Sequence, residues 1–221
     1  MALAACAVVS TVDIARSQAA PVFSEAASFA VGVEDVTGYY SRSVKYDTPQ
    51  TGSIEQTRNR FGVGLVDGAV HVGFHYFIIP HLSLGGFVGF ETAPSSVTVS
   101  DPPGTYTSDQ PTENHLILAP RVGYALMFTE QIGLWFRGGI GYQRDKYGLG
   151  GDNYARDSLG VFSADVLFAW SPVSHFCLVV GPTADIAFMG SHFERHPNAR
   201  DWSGDASMHR LALTSGLYGY F

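Results

Sequence analysis

Large apolar side chains alternate with small or polar ones along most of the chain after residue 27. One row reads Leu82, Leu84, Gly86, Val88, Phe90, and its reverse reads Ser83, Gly85, Phe87, Gly89, Glu91. Further on, Leu116, Leu118, Pro120, Val122, Tyr124, Leu126 and Phe128 oppose Ile117, Ala119, Arg121, Gly123, Ala125 and Met127. A period of two marks extended chain with two unlike faces. Comparable rows run over 132–142 and 176–188, and weaker ones over 70–78, 161–170 and 210–221. A first strand over 29–40 is the least regular, and Glu34-Asp35 breaks its pattern as a bulge would. The pattern predicts eight strands.

The connections alternate in length. Short ones fall near Ile79-Pro80-His81, Thr129-Glu130-Gln131 and 171–174; long ones cover about 41–62, 92–114, 146–157 and 190–206. The long ones hold most charges and turn formers, such as Asp101-Pro102-Pro103-Gly104. An even strand count with short turns on one rim and long loops on the other is the outer-membrane arrangement, with both termini on the periplasmic side. Residues 166–184 lack any Asp, Glu, Lys or Arg, which suits a membrane helix, but Ser171-Pro172-Val173-Ser174-His175 puts a turn at their centre. Two strands fit that stretch better.

Composition decides which face looks outward. Charged residues make up 15% of the 221 residues while 46% are hydrophobic, against a usual charged share of about 25%. The two lysines, Lys45 and Lys146, fall in expected loops, so no strand is expected to carry one. A soluble lipocalin-like barrel would turn its apolar row inward and cover the other with Lys, Glu and Thr. Here the reverse rows are rich in Gly, Ala and Ser, which suit a narrow, filled interior. Tyr76, Tyr124, Phe128, Trp170, Phe176 and Phe221 lie on apolar rows near the short turns, as an interfacial girdle would. The net charge of -7 offers no basic footprint for nucleic acid. Of two cysteines, Cys6 lies in a leader and Cys177 is read as inert packing.

Residues 1–20 read as a signal peptide without its basic n-region: 2–9 form an apolar run and Ser17-Gln18-Ala19 offers a cleavage site. Leu3-Ala4-Ala5-Cys6 has the form of a lipoprotein box, too close to Met1 for a full apolar segment. A short segment, 21–26, leads into a barrel domain, 27–221.

The C-terminal Thr214-x-Gly216-x-x-Gly219-x-Phe221 resembles the assembly signal of outer-membrane barrels, with Gly219 where an aromatic is usual. Region 27–221 is similar to the small OmpA/OmpX-type barrel proteins, in segments such as Pro120-Arg121-Val122-Gly123-Tyr124 and Arg137-Gly138-Gly139-Ile140-Gly141-Tyr142. The resemblance implies an all-β, eight-stranded antiparallel up-and-down transmembrane barrel, integral to a Gram-negative outer membrane. It implies outer-membrane lipids and the barrel-assembly machinery as partners, and no peptidoglycan-binding domain after the last strand.

The expected interior charges are Glu34, Glu91, Arg121, Arg137, Asp165, Asp185 and Arg210. Isolated buried charges are costly, so opposite signs should pair. Arg121, Arg137 and Asp165 should meet at mid-barrel. Such a network could be a solid plug or the gate of a small pore. His71 and His75 on one inward row could add pH sensitivity or serve as hydrogen-bonded filler. Pro120 and Pro182 fall on the lipid-facing row, where bulges would absorb the lost ladder donors.

Enzyme parts are sparse. His81-Leu82-Ser83 resembles the His-x-Ser of lipid A deacylases but lacks the Asn that follows and sits at a periplasmic turn. His192-x-Glu194-x-His196 has metal-ligand spacing, in a segment expected to be a solvated loop. The expectation is a non-enzyme without a cofactor. Its four outward loops would meet host, phage or other cell-surface ligands, or stabilise the envelope. The alternatives are a narrow small-solute channel and a soluble ligand-binding barrel.

Overall fold

The structure is a computed structural model and describes residues 22–48, 52–63, 70–101, 104–150, 153–195 and 201–221. The expected signal peptide and lipoprotein box lie outside them. Ten strands form a single antiparallel sheet: β1 (Phe29–Glu34), β2 (Thr37–Thr48), β3 (Gly52–Val63), β4 (Val70–Ile79), β5 (Leu82–Asp101), β6 (Gly104–Met127), β7 (Ile132–Gly150), β8 (Asn153–Val173), β9 (Phe176–Arg195) and β10 (Trp202–Tyr220). β10 pairs with both β1 and β2, while β4 pairs with β1 and β3 with β2. β1–β2 therefore act as one stave and β3–β4 as the next, so the wall has eight staves in up-and-down order. The break in the first stave falls at Glu34-Asp35, where Asp35 takes φ 57° and Val36 donates its N–H to the Ser215 carbonyl at 3.0 Å.

Closure pairs the first strand with the last. Phe29 and Phe221 exchange both backbone hydrogen bonds at 2.9 Å, so the C-terminal Phe seals the seam by its main chain. Its side chain stays outside, 70% exposed. The β1–β10 pairing closes the ring, the condition for carrying strands through hydrocarbon; among the described residues β3 pairs on one side, with β2. Gly216 lets the seam close: a Cβ there would meet the Val33 carbonyl oxygen at 2.9 Å.

The apolar rows point outward. Leu118 is 53% exposed, Val122 51% and Phe136 40%, whereas Ala119, Ala125 and Trp135 between them are buried. Tyr76, Tyr124, Phe128, Trp170, Phe176 and Phe221 are all on the outer surface beside the short turns. So much contiguous exposed apolar surface is a contact surface for lipid, not for water. The exposure pattern is the reverse of a soluble carrier's.

Two expectations need correction. The stretches read as long loops are mostly strand: β5 runs on to Asp101, and β6 starts at Gly104, well before the exposed Leu116. Lys45 lies in β2 and Lys146 in β7, so both lysines are on strands after all. Polarity made these segments look like loops. On β7 and β8, where the side chains are described, the outer face turns to Arg144, Lys146 and Arg156 once the lipid-facing constraint ends. The prolines are also absorbed differently. Pro120 and Pro182 are exposed, and no bulge forms at either. The β6–β7 ladder stops at Leu118 and resumes at Arg121 in the same register, and the β8–β9 ladder does the same between Asp165 and Phe168. A missing N–H removes bridges locally without shifting the strands.

Candidate functional site

The interior of an eight-stranded barrel is just wide enough for side chains to fill, and here it is filled in layers. The layer at the short-turn end is aromatic. The segment before β1 folds back into the barrel mouth, and Phe23 is fully buried against Phe77, Trp135 and Tyr220, all edge-to-face at 5.2–5.6 Å between ring centroids. Ser24 holds the segment down: its hydroxyl lies 3.0 Å from His81 Nδ1, and its carbonyl accepts the His81 N–H at 2.9 Å. The 21–26 stretch was expected only as a short lead-in; part of it is the stopper of this mouth.

Above it sits the charge layer. Arg137 donates from Nη1 to Glu34 Oε1 at 2.6 Å and to Tyr218 OH at 2.8 Å, from Nη2 to Glu34 Oε2 at 3.1 Å, and from Nε to Asp165 Oδ2 at 3.0 Å. Arg121 Nη1 also pairs with Asp165, and its Nη2 donates to Ser163 Oγ at 2.6 Å. Ser163 in turn donates to Asp185 Oδ1 at 2.6 Å, and Asp185 Oδ2 accepts from Arg210 Nη1 at 3.0 Å. Arg210 Nη2 reaches Asp35 Oδ2 at 3.5 Å, beside His71 Nδ1 at 2.7 Å. The structure thus joins Glu34, Arg121, Arg137, Asp165, Asp185 and Arg210 in one network and adds Asp35, Ser163, Tyr218 and His71. Glu91 is placed by its backbone opposite His115; its side chain lies outside the described ones.

Four carboxylates face three guanidiniums, and His71 Nδ1 lies within hydrogen-bond distance of the Asp35 carboxylate. A buried network is tolerable only when its members satisfy one another. The guanidiniums also rest on rings: Arg121 lies 4.3 Å from the Phe87 centroid and Arg137 4.8 Å from that of Trp135. Space comes from inward glycine. At Gly73 a Cβ would meet Glu34 Oε1 and Tyr218 OH at 2.5 Å.

A third layer, toward the long hairpins, pairs histidines with acids. His115 bonds Asp145, which also accepts from Gln143 Nε2 at 2.9 Å. His192 Nδ1 lies 2.6 Å from Asp157 Oδ1, and its Nε2 lies 3.1 Å from Glu194 Oε1. These residues lie beyond the apolar band. Burial disfavours the His192 cation, but the hydrogen bonds and charges of Asp157 and Glu194 outweigh it and raise its pKa above 6.5. The sequence missed both pairs because it treated these segments as solvated loop.

The enzyme-like motifs do not assemble. His81 sits at the β4–β5 turn with φ 71° and bonds Ser24, while Ser83 points inward and bonds His75 at 3.2 Å. His192 is committed to Asp157, and His196 lies outside the described residues. Among the described residues no group of three or more His, Cys, Asp or Glu side chains is placed to hold a metal ion. Thr214 of the C-terminal motif faces inward and shares a hydrogen bond with Thr183 at 3.0 Å.

No family model matches the chain. No curated protein matches it either. Solved structures do. The outer membrane protein OprG from Pseudomonas aeruginosa aligns at a TM-score of 0.54 and 11% identity, over 89% of this chain and 97% of its own. Neisserial surface protein A aligns at 0.49 and 11%, over 87% and 97%. The outer membrane protease OmpT from Escherichia coli aligns at 0.45 and 9%, over 92% and 99%. At these identities the likeness to OprG is one of fold, that of the small outer-membrane β-barrels.

Proposed function

We propose that the chain is a non-enzymatic integral protein of a bacterial outer membrane, a sealed anchor whose projecting β-hairpins make its contacts outside the cell. One observation carries this reading: the apolar band ends while the strands continue. On β7 exposed Tyr142 is followed by exposed Arg144 and Lys146, yet the strand runs to Gly150, and past exposed Phe90 and Leu116 the β5–β6 hairpin extends to Asp101 and Gly104. At about 3.4 Å per residue and a tilt of roughly 40°, that hairpin stands some 25–30 Å clear of the hydrocarbon. Beyond Ala93 and Asn114 these two strands pair with each other alone among the described residues, a projecting arm that suits contact with a cell-surface or phage partner or packing within the envelope. The salt-bridged layer across the lumen supports a plug over a pore gate.

Two measurements test this. The protein in outer-membrane fractions should migrate differently in detergent gels before and after boiling, because a closed barrel resists detergent until heated. In planar bilayers it should give no steady conductance steps. Steps abolished by Arg137→Gln would favour the channel, and release from membranes by carbonate would favour a soluble carrier.

A further inference from the structure

Beyond the apolar band, the outer face of β7, β8 and β9 turns basic. Gln143, Asp145, Ala155, Asp157 and His192 point inward and are buried, so by alternation Arg144, Lys146, Arg156 and Arg195 point out. The remaining outward positions on these three strands are Gly148, Tyr154, Ser158, Ser191 and Phe193, with no carboxylate among them. On the adjoining chain segment Asp205 of β10 sits opposite Ser191, and exposed Asp201, just before β10, continues the register opposite Arg195, so acids stand at the edge of the patch and away from Arg144, Lys146 and Arg156. The chain carries seven more acids than Lys and Arg together, so this concentration of cations runs against its own composition.

The arrangement is costly as it stands. Lys146 lies directly opposite Arg156, and Arg144 opposite Ser158. Direct partners have their Cβ atoms about 5 Å apart, and like charges there destabilise a sheet. None of the four cations makes an ion pair with a described residue. Aromatic rings hold two of them instead. Lys146 Nζ lies 4.5 Å from the Tyr154 centroid and the Arg156 guanidinium 5.3 Å from that of Phe193, with the two rings 6.1 Å apart. Ring contacts position the side chains and leave their charge in place.

Height picks the occupant. Arg144 is two residues beyond Tyr142, which is exposed at the top of the apolar band. Directly below are exposed Ile140, Phe162, Phe188 and Met189, with the Phe162 and Phe188 rings 4.5 Å apart. An anion between Arg144, Lys146 and Arg156 therefore sits at headgroup level above an acyl-chain surface. Resting on the outer-membrane reading above, we propose that this patch binds the phosphate groups of a phosphorylated acyl lipid in the outer leaflet. Arg144, Lys146 and Arg156 would take the phosphates, and the aromatic strip below would pack the chains.

The test uses the full chain folded into neutral phosphatidylcholine vesicles, with or without a minor fraction of bis-phosphorylated lipid A. The readout is the heat-shift midpoint in gels. The phosphorylated lipid should raise the wild-type midpoint by about 5 °C. R144Q/K146Q/R156Q should lose that rise while keeping or improving its midpoint in neutral vesicles, because repulsion is relieved. Lys45→Gln, on β2, should keep the rise. The proposal is overturned if lipid A stripped of phosphate stabilises equally, or if the triple variant retains the rise. An equal rise from inorganic phosphate or heparin in neutral vesicles would overturn it too, by assigning the patch to a soluble anion or a sulfated polysaccharide. A chain with no heat-shifted form in any vesicle would instead sink the outer-membrane reading itself.

Discussion

Arg137 is the hub of the charge layer, and Arg137→Met removes its charge while keeping much of its length. The change strips Glu34 of bonds at 2.6 and 3.1 Å and Asp165 of contacts at 2.9 and 3.0 Å. Neither acid is wholly abandoned, since Arg121 pairs with Asp165 and lies 3.6 Å from Glu34. Breaking a buried ion pair from one side costs about 3–5 kcal/mol, so with Arg121 remaining the loss should fall near the low end, about 3 kcal/mol. Most of that is the penalty for the Glu34 carboxylate, left with the Tyr218 hydroxyl and with Arg121 at 3.6 Å. Neutralising it should therefore help: R137M/E34Q should be more stable than R137M by roughly 1–2 kcal/mol. Urea unfolding in lipid vesicles, followed by tryptophan fluorescence, reads both values; Trp135 lies against the Arg137 guanidinium. The reasoning fails if R137M unfolds within about 0.5 kcal/mol of wild type, or if the second substitution adds a further loss of its own.

Phe23→Ala should lower stability by about 3–5 kcal/mol, as deletion of a fully buried aromatic does, read as a drop in the heat-shift midpoint; an unchanged midpoint would mean that the stopper does not pack. Gly73→Leu should prevent formation of the compact, heat-modifiable band, because its Cβ would already meet Glu34 and Tyr218 at 2.5 Å. The raised pKa of His192 means that its proton binds more tightly in the folded state. Its contribution is then full below the unfolded value of 6.5 and is lost as pH rises through the higher folded value. Stability of the wild type should decline over that window, and His192→Gln should flatten the decline; parallel pH curves would contradict the pairing with Asp157 and Glu194.

The strands were legible because lipid enforces a rule that repeats every second residue. Leu118 and Phe136 must be greasy, and Ala119 and Trp135 must fit inside, so β5 to β10 declare themselves within the apolar band. Beyond it the outer row no longer has to be apolar, and Arg144, Lys146 and Ser158 look like loop residues although their backbone is still paired. The inward charges were legible for the same reason, since a charge on the small-residue row stands out. Their partners were less so. Asp35 faces in only because the left-handed turn at its own position shifts the alternation, and Tyr218 reads as one more aromatic until its hydroxyl is found on Glu34. Phe23 gave no signal, since a single ring before the first strand has no periodicity to betray it.

The central claim is that the apolar rows meet acyl chains and the small-residue rows fill a sealed interior. Spin labels placed singly at Leu118, Val122, Phe136 and, as inward controls, Ala119 and Ala125 test it directly in reconstituted vesicles. Collision with oxygen should be high and with a water-soluble nickel complex low at the first three, while the inward pair should be immobile and shielded from both. Nickel access at Leu118 and Phe136 matching that of a loop residue would contradict the account.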